Sequence, residues 1–215
     1  MSLEVIPISI SHDIEEGENL ANLVKSKAKL QDGDVLVVSQ KIISKQEGRV
    51  IKLSSVFPSL LSTGIASEYG KDPKLVEIIL SESKRIVRME NGIIIVETNG
   101  GFICANAGVD ESNVESGFAS LLPKDPDSSA KKLRELILDK TGKKVAVIIS
   151  DTFGRPFRMG QTECAIGVSG MDSILDYEGS KDTFGKILRV TAIAVVDEIC
   201  CAAELVQGKA ATTPM

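Results

Sequence analysis

The feature that most constrains the fold is a pair of Asn-Gly dipeptides, at residues 91–92 and 99–100, which separate short apolar runs. Those runs cover residues 86–89, 93–96 and 102–105. Asn-Gly is the strongest short signal for a β-hairpin, because both residues tolerate the positive φ that a two-residue turn requires. Two such turns in succession predict an antiparallel meander of three strands.

The rest of the chain alternates predicted strands and helices. Residues 35–39 and 144–150 are apolar and β-branched, which predicts buried strands, and residues 197–207 are predicted to be helical. A proline in residues 3–8 predicts a strand at a sheet edge there. A meander combined with strand–helix alternation indicates an α+β fold with mixed sheets. With 215 residues, 43% of them hydrophobic, we expect one domain over residues 1–215, built as two intimately joined lobes.

Charge and composition argue against several function classes. The formal net charge is −5 and the basic residues are scattered, so we expect no nucleic-acid partner. The apolar runs are short and the N-terminus lacks the pattern of a leader peptide, so we expect no membrane partner and a cytoplasmic location. Four cysteines without a Cys-x-x-Cys pair, and one histidine, do not supply a structural zinc site.

A polar stretch, residues 150–162, follows the second predicted strand and reads SDTFGRPFRMGQT. Asp151 and Thr152 form a pair of hard-oxygen donors at the end of a strand, where α/β proteins often place ligand groups. Arg155 and Arg158 could contact phosphate or carboxylate oxygens through their guanidinium groups. The glycine spacing and the absence of the required lysine exclude a Walker A loop. The alternative is a surface loop whose polar residues cap a turn.

Two further polar stretches also follow predicted strands. Asp110 offers a second hard-oxygen ligand and Asn113 an amide, although both are also ordinary turn residues. Lys41 and Lys45 lie four residues apart and could meet a triphosphate, although two solvated lysines are the commoner case. Considered together, the three stretches point to a metal-assisted phosphate site.

Four collinear segments resemble the coenzyme F-420 γ-glutamyl ligase family. They are DGDVLVVSQKIISKQEGR (32–49), ANAGVDESNV (105–114), LLPKDPD (121–127) and SDTFGRPFRMGQT (150–162). The resemblance implies an enzyme that joins L-glutamate, through its amino group, to the lactyl carboxylate of a deazaflavin phospholactate-type acceptor. Further glutamates would then be added by γ-linkage. It also implies GTP as co-substrate, Mg²⁺ or Mn²⁺ as two ions, stimulation by K⁺, and an intertwined homodimer without a P-loop.

The resemblance assigns site residues position by position. The implied metal ligands are Asp110, Asp151 and Thr152. The implied nucleotide contacts are Ser11, His12, Asp13, Ile14, Gln40, Lys41, Lys45, Asn113, Gln207, Gly208 and Lys209. We assign Lys45 to the stabilisation of transferred charge. From charge alone, we assign Arg155 and Arg158 to the binding of anionic substrate.

The resemblance implies a further strand after the nucleotide loop that begins at Gln207 and Gly208, and we expect the C-terminal end to be shortened relative to the family. Lys209 stands where some members carry an acidic metal ligand. The shortened end leaves open a non-catalytic nucleotide-binding homologue. A glutamate ligase that uses the same site for another carboxylated cofactor, such as a pterin, is a second alternative to the F-420 ligase. GTP and ATP, and one or several added glutamates, also remain alternatives at this point.

Overall fold

The computed structural model describes residues 2–208 and 212–215, and within them it forms a mixed α+β fold of six α-helices and several small sheets. The helices are α1 (Leu20–Lys27), α2 (Gln40–Gln46), α3 (Leu60–Tyr69), α4 (Pro73–Ser81), α5 (Pro126–Thr141) and α6 (Val195–Gln207). The strands are β1 (Val35–Ser39), β2 (Val50–Lys52), β3 (Ser83–Glu90), β4 (Ile93–Thr98), β5 (Ile103–Ala105), β6 (Phe118–Ser120), β7 (Ala146–Gly154), β8 (Gln161–Ser169), β9 (Leu175–Asp176) and β10 (Ala192–Ile193).

The sheet that positions the candidate site has the order β1-β7-β8. β1 runs parallel to β7, with Ser39 opposite Ser150, and β8 runs antiparallel to β7. Both faces are covered, because alternate residues of β7 belong to different apolar clusters: Val147 packs with α1 and α5, and Ile148 packs with α6. Burial on both faces explains why the strand is an unbroken apolar run in the sequence.

The predicted boundary of β7 was wrong in an informative way. The strand does not stop at Ser150 but continues to Gly154, paired with β8 along its whole added length. Asp151 and Thr152 are therefore strand residues, and only residues 155–160 form the turn. An antiparallel partner supplies hydrogen bonds for polar residues that would otherwise end the strand. The sequence signal of a polar stretch therefore indicated the position of these side chains but not their secondary structure.

The predicted antiparallel meander is confirmed as β3-β4-β5. Asn91 and Gly92 both have positive φ, 50° and 76°, as a two-residue turn requires. The second turn differs, because Gly101 rather than Gly100 takes the left-handed conformation, with φ of 90°. The meander packs its apolar face against α3 and α4 around Ile79, Ile94 and Val96.

The edge strand predicted over residues 3–8 does not form. Instead, the amides of Ile8 and Ile10 donate to the carbonyls of Met215 and Thr212, at 2.8 Å each. The Ser39 amide donates to the Pro214 carbonyl at 2.9 Å, so the last residues lie between β1 and the N-terminal segment. No helix within the described residues combines the length and apolar composition that a membrane crossing requires.

Candidate functional site

The candidate site lies at the edge of the central sheet where β1 ends. α2 begins directly after β1, and the pairing of Ser39 with Ser150 places its first turn beside the end of the buried part of β7. Gln40, the first residue of α2, is 3% exposed, and its amide oxygen accepts a hydrogen bond from Ser44 at 2.8 Å. The two lysines of α2 are one helical turn apart and therefore share a face.

Lys41 bridges α2 to the loop before β6. Its ammonium donates to the Asp110 carboxylate, to the Ser112 carbonyl at 2.6 Å and to the Ser112 hydroxyl at 2.8 Å. Burial opposes the charged form of Asp110, but hydrogen bonds from Lys41 and Ser112 outweigh it and lower the pKa of this carboxyl. The Lys41 side chain is only 14% exposed, so this ion pair is partly shielded from water.

The backbone holds Asp110 in place. Asp110 and Ser120 exchange backbone hydrogen bonds at 3.1 and 2.8 Å, and the Ser120 hydroxyl also donates to the Asp110 carbonyl at 3.0 Å. Asn113, the other site residue predicted in this loop, lies three residues after Asp110. It is exposed and has a positive φ of 53°. The loop therefore presents the Asp110 carboxylate from a fixed backbone.

The predicted N-terminal loop meets the second lysine of α2. Lys45 forms an ion pair with Asp13, and the Gly17 amide donates to the Gln46 carbonyl at 2.8 Å, which docks the loop on the end of α2. His12 hydrogen-bonds to Glu18 at 2.7 Å, next to the same loop. The structure thus brings together the segment 11–14 and Lys45, which are far apart in the sequence.

Asp151 lies near the end of β5. Burial, and then the negative charge of Asp151, raise the pKa of the Cys104 thiol to about 11. Two residues after Cys104, Asn106 adopts a positive φ of 53°. Its side-chain oxygen is buried without a hydrogen-bond partner among the described residues. A buried amide oxygen of this kind is a candidate contact for a ligand, because such groups are normally hydrogen-bonded.

Thr152 faces a residue that the sequence analysis missed. Its hydroxyl donates to the carboxylate of Glu163, which lies directly opposite on β8 and is 4% exposed. Asp151 and Thr152 are consecutive in a strand, so their side chains leave β7 on opposite faces. An acid directly before the apolar run of residues 164–168 was the available signal for Glu163, and the pairing of β7 with β8 places Thr152 opposite it.

The predicted arginines lie at the exposed turn between β7 and β8. Arg155 donates to the carbonyls of Met159, at 2.6 Å, and Gly160, at 3.4 Å, so it closes its own turn. Arg158 is exposed.

The three site residues predicted near the C-terminus are Gln207, Gly208 and Lys209. Gln207 is 5% exposed and its amide donates to the Val37 carbonyl at 3.3 Å, which ties the end of α6 to β1. Gly208 ends the helix with a positive φ of 62°. Lys209 lies outside the described residues.

The donor chemistry fits a hard divalent cation. Within the described residues, no group of three or more His, Cys, Asp or Glu side chains could hold a metal by itself. The oxygens around the Lys41 ammonium, a carboxylate, a carbonyl and a hydroxyl, nevertheless form a cation-binding set. Carboxylates with neutral oxygens suit Mg²⁺ or Mn²⁺ rather than zinc, and Mg²⁺ typically takes only one or two carboxylates beside substrate phosphates.

Comparison with known proteins places the chain in a family. The family model described as F420-0:Gamma-glutamyl ligase matches residues 10–215. The chain belongs to this γ-glutamyl ligase family.

Curated relatives of this γ-glutamyl ligase family member are similar over nearly all of the chain. A Coenzyme F420:L-glutamate ligase of Methanothermobacter thermautotrophicus is 45% identical over 98% of this chain and 85% of its own length. A protein of the same name from Methanocaldococcus jannaschii is 47% identical over 89% of this chain and 76% of its own length. Another, from Archaeoglobus fulgidus, is 44% identical over 97% of this chain and 84% of its own length.

Proposed function

We propose that the chain joins L-glutamate to the lactyl carboxylate of the coenzyme F420 precursor in a GTP-dependent reaction, and then adds further glutamates by γ-linkage. Family membership makes it a ligase that forms an amide bond with glutamate. The observation that carries the proposal is the convergence of acids and lysines at one sheet edge, where Lys41 meets Asp110 and Lys45 meets Asp13.

The chemistry of the bond explains why a nucleotide is needed. An amine does not displace oxide from a carboxylate at neutral pH, so the acceptor oxygen must first become a leaving group. Transfer of the GTP γ-phosphate to the carboxylate gives an acyl phosphate and GDP. The glutamate amine then attacks the acyl carbon, inorganic phosphate leaves, and the amine loses a proton. The protein contributes positioning and charge neutralisation to both steps.

The residues divide this work by charge. Asp110, Asp151 and Thr152 would hold divalent metal, which would supply positive charge beside the β- and γ-phosphates. Because Asp151 and Thr152 leave β7 on opposite faces, the strand geometry favours two ions over one. Lys45, with Lys41 one turn away, stabilises negative charge on the transferred phosphoryl group. Arg158 contacts the anionic acceptor from the exposed turn.

A homodimer is part of the proposal. Apolar side chains are more than nine-tenths exposed in two segments, Phe157 and Met159 in the β7–β8 turn and Phe184 and Val190 between β9 and β10. Exposed apolar groups of this kind are typical of an interface, and the proposed occupant is a second copy of the chain. Light scattering on the purified chain tests this assembly.

The test of function combines one substitution with product analysis. The chain is incubated with GTP, Mn²⁺, L-glutamate and the deazaflavin acceptor, and products are weighed by mass spectrometry. We expect glutamate adducts and release of inorganic phosphate, and a loss of about 10²–10³-fold in kcat for Asp151→Asn, the scale for removing one preorganised charge-stabilising group. Glu97→Gln, in an ion pair with Arg85 on the meander, is the matched control.

Three results would contradict the proposal. Adducts formed only with a pterin acceptor would reassign the substrate. Nucleotide binding without phosphate release in the presence of both substrates would indicate a non-catalytic homologue. Near-wild-type turnover of Asp151→Asn would remove this residue from the site.

A further inference from the structure

We propose that Glu163 is a positioning residue, which fixes the Thr152 hydroxyl so that its oxygen faces a bound divalent cation. The inference rests on the proposed function, since it requires that cation. Asp151 on β7 and Glu163 on β8 are the two acids of this strand pair, and the proposed reaction steps above give no part to Glu163. Glu163 acts through Thr152 rather than on the reacting atoms.

The strand pairing makes the contact between the two side chains a fixed one. Thr152 pairs with Glu163, and the flanking pairs Asp151–Cys164 and Phe153–Thr162 hold the same register on either side. The Cys201 thiol on α6 donates to the Glu163 carbonyl at 3.3 Å. The Glu163 backbone is therefore held from both the neighbouring strand and the covering helix, and because the residue is only 4% exposed its side chain has little room to turn away.

The direction of the hydrogen bond determines what Thr152 can bind. A hydroxyl has one proton, and an ionised carboxylate can only accept. When that proton is donated to Glu163, the Thr152 oxygen keeps only lone pairs for its other contacts. It can then bind a cation, but it has no proton to offer to a phosphate oxygen. Outer residues that orient metal ligands in this way are a general feature of metal sites.

A neighbouring hydroxyl provides a second observation. Ser150 precedes Thr152 by two residues, so both lie on the same face of β7. Ser150 is 1% exposed, and its hydroxyl oxygen has no hydrogen-bond partner among the described residues. A buried polar group without a partner carries a free-energy cost unless a ligand or water satisfies it. The face that carries Thr152 thus holds another oxygen suited to a ligand.

The experiment measures Mn²⁺ binding directly, without turnover. MnCl₂ is titrated into the full 215-residue chain in the presence of the non-hydrolysable guanosine β,γ-imidotriphosphate, and electron paramagnetic resonance reports unbound Mn²⁺ against a protein-free blank. The variants are Glu163→Gln, Thr152→Val, Thr152→Ser and the Gln/Val double variant. Glu97→Gln serves as a control carboxylate on β4, and thermal unfolding verifies that each variant folds.

We expect Glu163→Gln to weaken Mn²⁺ binding by about 10- to 100-fold, as for other residues that orient metal ligands. Thr152→Ser, which keeps a hydroxyl, should bind Mn²⁺ more tightly than Thr152→Val, and Glu97→Gln should bind like the wild type. The double variant should be no weaker than Thr152→Val alone, because Glu163 acts through the Thr152 hydroxyl. If Glu163→Gln fails to fold, the comparison of Thr152→Val with Thr152→Ser still tests whether the hydroxyl binds the ion.

The outcomes separate the inference from the proposed function. Wild-type Mn²⁺ affinity in folded Glu163→Gln, or additive losses in the double variant, would overturn the role of Glu163 and leave the ligase proposal intact. Equal affinity in Thr152→Val and wild type would remove the hydroxyl as a ligand, and with it the inference. An absence of Mn²⁺ binding in the wild type would overturn both. Mn²⁺ binding as expected without ligase products would contradict only the function.

Discussion

The two lysines of α2 and the two arginines of the β7–β8 turn are all candidate anion-binding cations, but they differ in exposure and in the groups that hold them. Lys41 and Lys45 are 14% and 11% exposed, and each is held by an acid from a distant part of the chain. Arg155 and Arg158 are exposed, and Arg155 donates to two carbonyls of its own turn. Cations that are already held in place lose less conformational entropy when a phosphate binds, so the lysines should contribute more.

Among these four cations, the largest expected effect is at Lys45. Replacing it in Lys45→Met removes a partly buried charged donor, which we expect to raise the KM for GTP by about 10- to 100-fold, from the 1.5–3 kcal/mol of a charged hydrogen bond. Asp13→Asn alters only the other side of the ion pair, and because Asp13 is 76% exposed we expect a change below about threefold. Steady-state kinetics with GTP varied measure both.

The comparison of Lys45→Met with Asp13→Asn is the sharper test. If Asp13→Asn were as damaging as Lys45→Met, the ion pair itself would matter rather than the availability of the lysine to the nucleotide. Arg88→Gln, in an exposed ion pair with Glu90, controls for the simple loss of a positive charge.

The sequence predicted the central strands and the meander because those elements carry local signals. β1 matches its predicted residues 35–39, and the first Asn-Gly pair forms the predicted turn. The extension of β7 was not predictable in the same way, because it depends on β8, whose pairing is a long-range property. Residues 3–8 were mispredicted for the related reason that their partner is the far end of the chain.

In the candidate site, too, the features with a local sequence signal were predicted and those that depend on long-range pairing were not. The polar residues after strands were visible in the sequence, and the structure brings Lys41 to Asp110 and Lys45 to Asp13. The hydrogen bond between Thr152 and Glu163 could not be predicted from the sequence, because it depends on the register in which β7 and β8 pair. The hydrogen bond from Arg155 to the Met159 carbonyl was also not predicted, and the contact of Arg155 with substrate stays a prediction.

Substitutions of the two arginines should have smaller effects than Lys45→Met, on substrate binding for Arg158 and on stability for Arg155. Arg158→Gln removes an exposed donor, and we expect the KM for the deazaflavin acceptor to rise by about tenfold with kcat little changed. Arg155→Gln removes the bonds that close the turn, so we expect a loss of stability of about 0.5–1.5 kcal/mol instead. Kinetics with the acceptor varied, and urea unfolding, separate the two. A larger rise in KM for Arg155→Gln than for Arg158→Gln would reverse the assignment.

The smallest effect concerns the pH dependence of stability at Asp110. Burial raises the pKa of this carboxyl, but the hydrogen bonds from Lys41 and Ser112 outweigh it, so its pKa in the folded chain lies below the ordinary 3.8. A carboxyl with a lowered pKa stabilises the fold at pH values above its unfolded pKa. That contribution is lost as pH falls through the folded value.

Asp110→Asn should therefore unfold more easily than the wild type above about pH 4, and this difference should shrink as the pH falls below it. Because the Asp110 side chain is 45% exposed, we expect only about 0.2–1 kcal/mol, reduced further by salt. Thermal unfolding of both proteins from pH 7 to pH 3, without metal or nucleotide, measures the difference. A difference that grew on acidification would mean that Lys41 does not stabilise the Asp110 carboxylate. The ion pair with Asp110 would then no longer distinguish Lys41 from the exposed arginines of the β7–β8 turn.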